Sequence, residues 1–154
     1  MKGIVIVLTL AALFVGVTVC LADSPQMGTW KLNEAKSKFS PGASKNTTVV
    51  YEASGDNIKV TVDGVDGSGA ATHNEWTGKF NGRFYPVTGD PTSDTRSYRK
   101  INNHTLALTA RKGRKVTLTG RIVVSADGRT RTVTTNGTNS AGKRVSSRAV
   151  YDKQ

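Results

Sequence analysis

From His104 to Thr134 the chain reads HTLALTARKGRKVTLTGRIVVSADGRTRTVT, three apolar-alternating runs broken at Lys112-Gly113 and Asp127-Gly128. A two-residue period is what a sheet with one covered face demands, so the stretch predicts a three-strand antiparallel meander. A two-residue turn at Lys112-Gly113 would split the apolar set between the two faces. A three-residue loop Arg111-Lys112-Gly113, with Gly113 left-handed in a bulge, instead pairs Leu108 with Val116 and Leu106 with Leu118. The same geometry at Ala126-Asp127-Gly128 sets Val124 and Ile122 against Thr130 and Thr132. It sends Arg121, Arg129 and Arg131 to the opposite, wet face, and makes Thr130, Thr132 and Thr134 part of the interior.

Residues 1–22 carry the marks of an export leader. Lys2 gives a positive start, Ile4 to Leu21 is an apolar run, and Cys20-Leu21-Ala22 ends it with a small residue at each end, which places cleavage after Ala22. Two alternatives stay open: a single membrane-spanning helix, since the run reaches the lower end of spanning length, and lipidation at Cys20, against which branched Val19 argues. The chain from Asp23 onward has no cysteine, so no disulfide, thiol nucleophile or Cys-based metal site is expected there. Its length suits one compact domain, 23–154, stabilised by its core. Charge is uneven: Asp23 to Thr95 sums to −2 and Arg96 to Gln154 to +12. Such a surface attracts polyanions and anionic envelope surfaces.

Along the chain, Gly28-Thr29-Trp30-Lys31-Leu32 reads as a first strand whose Trp30 plugs a barrel base. A helical turn is expected within Glu34 to Phe39, with Phe39 as a lid. Asn46–Ser54 and Asn57–Gly64 form a hairpin around Gly55-Asp56, pairing Ala53 with Ile58, Tyr51 with Val60, Val49 with Val62, and Glu52 with Lys59 on the other face. Ala71–Phe80 and Arg83–Thr88 form another, closed by Asn81-Gly82, in which Trp76 meets Val87, Gly78 leaves room for Tyr85, and Phe80 lies beside Arg83. Pro86 predicts an interrupted ladder. Thr95–Ile101, the meander and Lys143–Tyr151 bring the count to about ten short strands without a long helix. The fold class is therefore all-β, an antiparallel meander closed into a barrel of about 8–10 strands, since closure removes the unpaired edges of an open sheet.

Gly28-Thr29-Trp30-Lys31-Leu32 resembles the opening Gly-x-Trp strand of the calycins, the lipocalins and fatty-acid-binding proteins. GTWKLNEAKSKFSPG, EWTGKFNGRFYPVTGDP and AVYDKQ resemble, over nearly the whole mature chain, small exported bacterial lipocalin-like proteins of unassigned function. The resemblance implies a calycin-like barrel in the periplasm or secreted. Two departures matter. The stretch from Asn33 to Lys45 is too short for the two-helix cap of fatty-acid-binding proteins. Their inward Arg-x-Tyr on the final strand is replaced by Arg148-Ala149-Val150-Tyr151, whose offset sends Arg148 and Tyr151 to opposite faces.

Inward aromatics Tyr51, Trp76, Phe80 and Tyr85 are the candidate wall of a pocket for a small apolar or amphipathic ligand. The alternative is core filling. An envelope-associated interaction protein would instead bind polyanions through Arg121, Arg129 and Arg131. Specific nucleic-acid binding is not expected, because the basic region interleaves few aromatics. His73 and Glu75 share an outward face beside Lys79 and are expected to be a solvated polar surface. No nucleophile elbow, phosphate loop, metal set or cofactor motif is present, so a binding protein is expected in place of an enzyme.

Overall fold

The computed structural model describes residues 24–154; the expected leader, its cleavage point after Ala22, and Cys20 lie outside the described residues. Eleven strands form one antiparallel sheet: β1 Gly28–Leu32, β2 Lys38–Phe39, β3 Lys45–Ser54, β4 Asn57–Val65, β5 Ala71–Gly78, β6 Tyr85–Thr88, β7 Thr95–Asn102, β8 Thr105–Lys112, β9 Lys115–Val124, β10 Thr130–Thr138 and β11 Arg144–Lys153. Ten of them close into a barrel, because β1 pairs with both β3 and β11, and β2 is an extra strand on β11. The seam is a broken strand. β1 covers Tyr151–Lys153 of β11, β2 covers Ser147 and Arg148, and a single 3-10 turn at Glu34–Lys36 joins them. That turn is shorter than expected because Asn33 caps it, its Oδ1 accepting from the Lys36 N–H, and Ser37 Oγ returns the chain to the sheet by accepting from the Val150 N–H. Among the described residues no helix is long and apolar enough to cross a membrane.

Regular alternation fixes the β3–β4 hairpin. Ser54 pairs with Asn57 around Gly55-Asp56, and the pairs Ala53–Ile58, Glu52–Lys59, Tyr51–Val60 and Val49–Val62 follow as expected. Only Gly55 takes positive φ in that turn, +57°. On β5, Trp76 opposes Val60 on one side and Val87 on the other. Strand β6 makes only two pairs with each neighbour, the interruption that Pro86 imposes. The Asn81-Gly82 turn does not close its own hairpin; it leans on β7, with Asn81 bridged to Arg99 and the Gly82 N–H donating to the Tyr98 carbonyl. Phe80 and Arg83 therefore do not face one another in a ladder.

The meander forms, with two changes of register. Strands β8 and β9 meet at a two-residue turn, Gly113-Arg114, followed by a bulge that leaves Thr117 unpaired, so that Leu106 opposes Ile122, Leu108 opposes Gly120 and Ala110 opposes Leu118. Val116, expected inside, is 44% exposed, because the bulge reverses the parity of everything on its turn side. Between β9 and β10 the loop is one residue longer than expected: Ser125 donates its N–H to the Thr130 carbonyl, and Asp127 Oδ1 accepts from Ser125 Oγ and the Arg129 N–H. One residue inverts a strand. Val124 thus opposes Arg131 and Ile122 opposes Val133, while Thr132 and Thr134 fall on the outer face.

The interior is stratified. At one end the Ser24–Met27 lead-in plugs the barrel: Trp30 Nε1 donates to the Gln26 carbonyl at 2.9 Å, and Gln26 Nε2 donates to the His104 carbonyl at 3.1 Å. Above it lies an aromatic layer in which Trp76 meets Tyr98 edge-on at 4.7 Å and Tyr85 at 5.7 Å, and stacks on Phe80 at 6.5 Å. Edge-to-face pairs of this kind add about 0.5–1.5 kcal/mol each beyond the area they bury. The far end is open, rimmed by the β2–β3, β4–β5, β6–β7 and β10–β11 loops.

Candidate functional site

The open end leads into a cavity of about 460 Å³ that descends between the strands to the aromatic layer. Its apolar wall includes Val49, Val62, Leu108, Ile122, Val133 and Ala149, its polar wall Asn74, Thr135 and Ser147, and its depth Tyr51, Tyr98 and Tyr151. Two arginines, Arg96 and Arg131, also line it. Their environments differ sharply.

Arg96 is buried on β7 beside Ala110 and Tyr85. Its Nη2 donates to Asn74 Oδ1 at 3.0 Å and to Asp90 Oδ2 at 3.3 Å, so the charge is answered from within the protein. Asp90 is locked in turn by Thr92 and Ser93, whose hydroxyls donate to it at 2.7 and 2.5 Å. Burial works to raise the Asp90 pKa, but the hydrogen bonds from Ser93 and Thr92, with Arg96 beside them, hold it below the usual carboxylate range.

Arg131 is 3% exposed and has no carboxylate partner among the described residues. Its Nε and Nη1 make no hydrogen bond, and neither does the buried hydroxyl of Tyr51 beside it. What surrounds the guanidinium is aromatic: its carbon sits 4.7 Å from the Tyr51 ring centre, 5.4 Å from Tyr151 and 5.7 Å from Trp30. Cation–π contacts of about 0.5–2 kcal/mol offset only part of the several kcal/mol that desolvating an unpaired ion costs. Burial holds the Tyr51 hydroxyl far above the ordinary tyrosine range and pushes Tyr151 up to about 12, with Arg131 pulling both the other way. Of the two buried cations in the lumen, Arg96 has a carboxylate partner and Arg131 has none among the described residues.

Of the four aromatics expected to wall a pocket, Tyr51 lines the cavity. Trp76, Phe80 and Tyr85 pack against one another beneath it, where Trp76 also donates through Nε1 to the Arg96 carbonyl at 2.9 Å. Of the three arginines expected on the basic exterior, Arg121 and Arg129 are exposed, but Arg131 points inward, which removes it from any outer surface. Arg96 is inside as well, on the strand face that it shares with Tyr98. Sequence reasoning missed both lumenal arginines. His73 and Glu75 do face outward: His73 Nδ1 lies 2.6 Å from Asp63 Oδ1, both exposed, and Glu75 pairs with Lys59 at 3.2 Å, both half-buried.

Fold and site together define a closed, ten-stranded antiparallel barrel with a hollow lumen and an unmatched cation inside it. No protein-family model matches the chain, and no curated protein matches it either.

Proposed function

We propose that the protein is an exported calycin-like carrier that binds a small amphipathic monoanion in the barrel. The head group sits against Arg131 at the level of Tyr51 and Tyr151, and the apolar body lies along Val49, Val62, Leu108 and Val133. The observation that carries this reading is the unpaired guanidinium of Arg131, buried against a cavity of about 460 Å³. A cavity of this size falls within the usual range for ligand pockets. An anion at that point supplies the missing counter-charge, and a charge-assisted hydrogen bond contributes about 1.5–3 kcal/mol. Export rests on the leader-like residues 1–22, and the mass of the mature protein, starting at Asp23, tests it.

Binding is tested by titrating a fluorescent anionic amphiphile, anilinonaphthalene sulfonate, into the wild type and Arg131→Met, with an uncharged dye of the same ring system as control. The sulfonate should lose about 10- to 100-fold in affinity on substitution, the equivalent of that hydrogen bond. The uncharged dye should be insensitive. Equal affinity of both proteins for the sulfonate would reject the assignment of Arg131 as the head-group site.

A further inference from the structure

The outer wall carries a second pattern that the lumen does not explain. Across strands β7 to β11 and onto β2, one row of cross-strand partners reads Arg99–Ala107–Arg121–Thr134–Arg148–Lys38. Adjacent strands lie about 4.8 Å apart, so the three arginines recur at roughly 10 Å along the row. Arg99, Arg121, Arg148 and Lys38 are exposed, and the residues between the arginines are short. These five long strands contain a single acidic residue, Asp152, which accepts from Asn33 at the far end of β11. Asp152 shares the outer face of β11 with Arg148 but stands four residues along the strand from it, so no carboxylate stands in the row itself. Beside the row, a surface groove of about 480 Å³ mixes hydroxyl and amide side chains, among them Thr119, Asn136 and Ser146, with the aliphatic Val116 and Val145, and has Arg144 at its edge.

We infer that this belt and groove form a docking surface for an acidic polysaccharide. Geometry separates that partner from other polyanions. The row crosses the strands and so curves with the barrel wall, whereas a flat lipid surface touches a cylinder along one strip and would meet only part of it. A flexible chain can follow the curve, with its acidic groups on the guanidinium belt and its hydroxyls against the Thr, Asn and Ser side chains. Stacking of nucleotide bases would need exposed aromatic rings, and the outward positions of β8 to β11 hold none. The surface is independent of the lumenal site, since Arg131 takes no part in it.

The experiment measures binding of the mature protein to alginate fragments as a function of salt, with neutral dextran, phosphatidylglycerol–phosphatidylcholine vesicles and a thymidine oligonucleotide as parallel probes. A belt variant, Arg99→Ser with Arg121→Ser and Arg148→Ser, is compared with a charge-matched control, Lys31→Ser with Lys79→Ser and Arg83→Ser, whose sites are exposed elsewhere. Arg121→Ser alone serves if the triple belt variant does not fold. Alginate affinity should fall at least tenfold in the belt variant, and the slope of log K on log salt should flatten, by about one for each cation removed. The control should stay within twofold. Equal losses in the two triples would reduce the effect to net charge and overturn the inference, as would vesicles or oligonucleotide bound through the belt as tightly as alginate.

Discussion

Arg131 on β10 stands directly opposite Tyr151 on β11, one rung of the ladder bringing guanidinium and phenol side by side into the lumen. The final strand alone cannot do this, since Arg148 and Tyr151 face opposite ways. The neighbouring strand supplies the cation instead. An isolated charge so placed is unfavourable for folding unless something else fills the site, and this separates a binding residue from a structural one.

Replacing Arg131 by Met should therefore leave the barrel as stable as the wild type or more so, by about 1–2 kcal/mol, while sulfonate binding is lost. The gain is the relief of ion desolvation, less the cation–π contacts to three rings. Urea unfolding of the unliganded proteins measures it. A loss of more than about 2 kcal/mol would mean that Arg131 holds the fold together, and its assignment as the head-group residue would collapse.

The same neighbourhood predicts an alkaline transition. Tyr151 is raised in the fold from an ordinary value near 10 to about 12. A group whose folded pKa is raised contributes stability that is complete below its unfolded pKa and is lost as pH climbs through the folded one. The contribution from Tyr151 should thus fade between about pH 10 and pH 12, and Tyr51, shifted in the same direction, adds to the loss from about pH 10 and carries it beyond that window. Arg131 favours both phenolates, so Arg131→Met should delay tyrosinate absorbance still further. An earlier onset in the variant would contradict the placement.

Asp90 should behave in the opposite sense. Its depressed pKa means that its contribution is present above the usual carboxylate value and is lost as acid carries the pH down through the folded value. Asp90→Asn removes the partner of Arg96 and should cost about 1–3 kcal/mol at neutral pH, below the full penalty for breaking a buried pair because the Asp90 side chain keeps 16% of its exposure. It should also tighten binding of a dianion relative to a monoanion, because the lumen then holds two unanswered cations. Thermal melts between pH 3 and pH 7, and competition between a monosulfonate and a disulfonate, test the two halves separately.

How far the sequence reveals these sites depends on loop length. Strands β3 and β4 alternate regularly from Gly55-Asp56 back to Thr48 and Asp63, so turn and pattern agree and those pairs can be written down in advance; only at Thr47 does a bulge shift the register. At Ser125–Thr130 they do not obviously agree. The polar strand TRTVTT tolerates either parity until the loop is counted, and the side chain of Asp127 stabilises the longer loop. A signal nevertheless exists in Val133, which is the single apolar residue of β10 and shares its face with Arg131. Burying Val133 buries the arginine. Arg96 follows the same logic through Tyr98. A bulge such as the one at Thr117 leaves no comparable mark, because Val116 and Leu118 are both apolar and either could be the one that faces in. The cavity itself depends on side-chain volumes around a closed ring of strands, which periodicity does not encode.

Gly78 offers a test of the aromatic layer that does not involve charge. A Cβ built on it would come within 2.6 Å of the Tyr85 ring and 2.7 Å of Trp76 Cζ2, distances that require one of the rings to move. Trp76 is held by its hydrogen bond to the Arg96 carbonyl and by stacking on Phe80, so Tyr85 is the ring that yields. Tyr85 is anchored more weakly, through the hydroxyl that accepts from Asn81 Nδ2 on an exposed turn. Gly78→Ala should destabilise the barrel by about 1–3 kcal/mol, the usual cost of overpacking. In a Tyr85→Ala background much of that cost should vanish, giving a coupling of at least about 0.5–1 kcal/mol in a double-mutant cycle followed by urea unfolding. Strict additivity would mean that the two residues do not compete for the same space, and that the floor beneath the cavity is packed differently from the arrangement seen here.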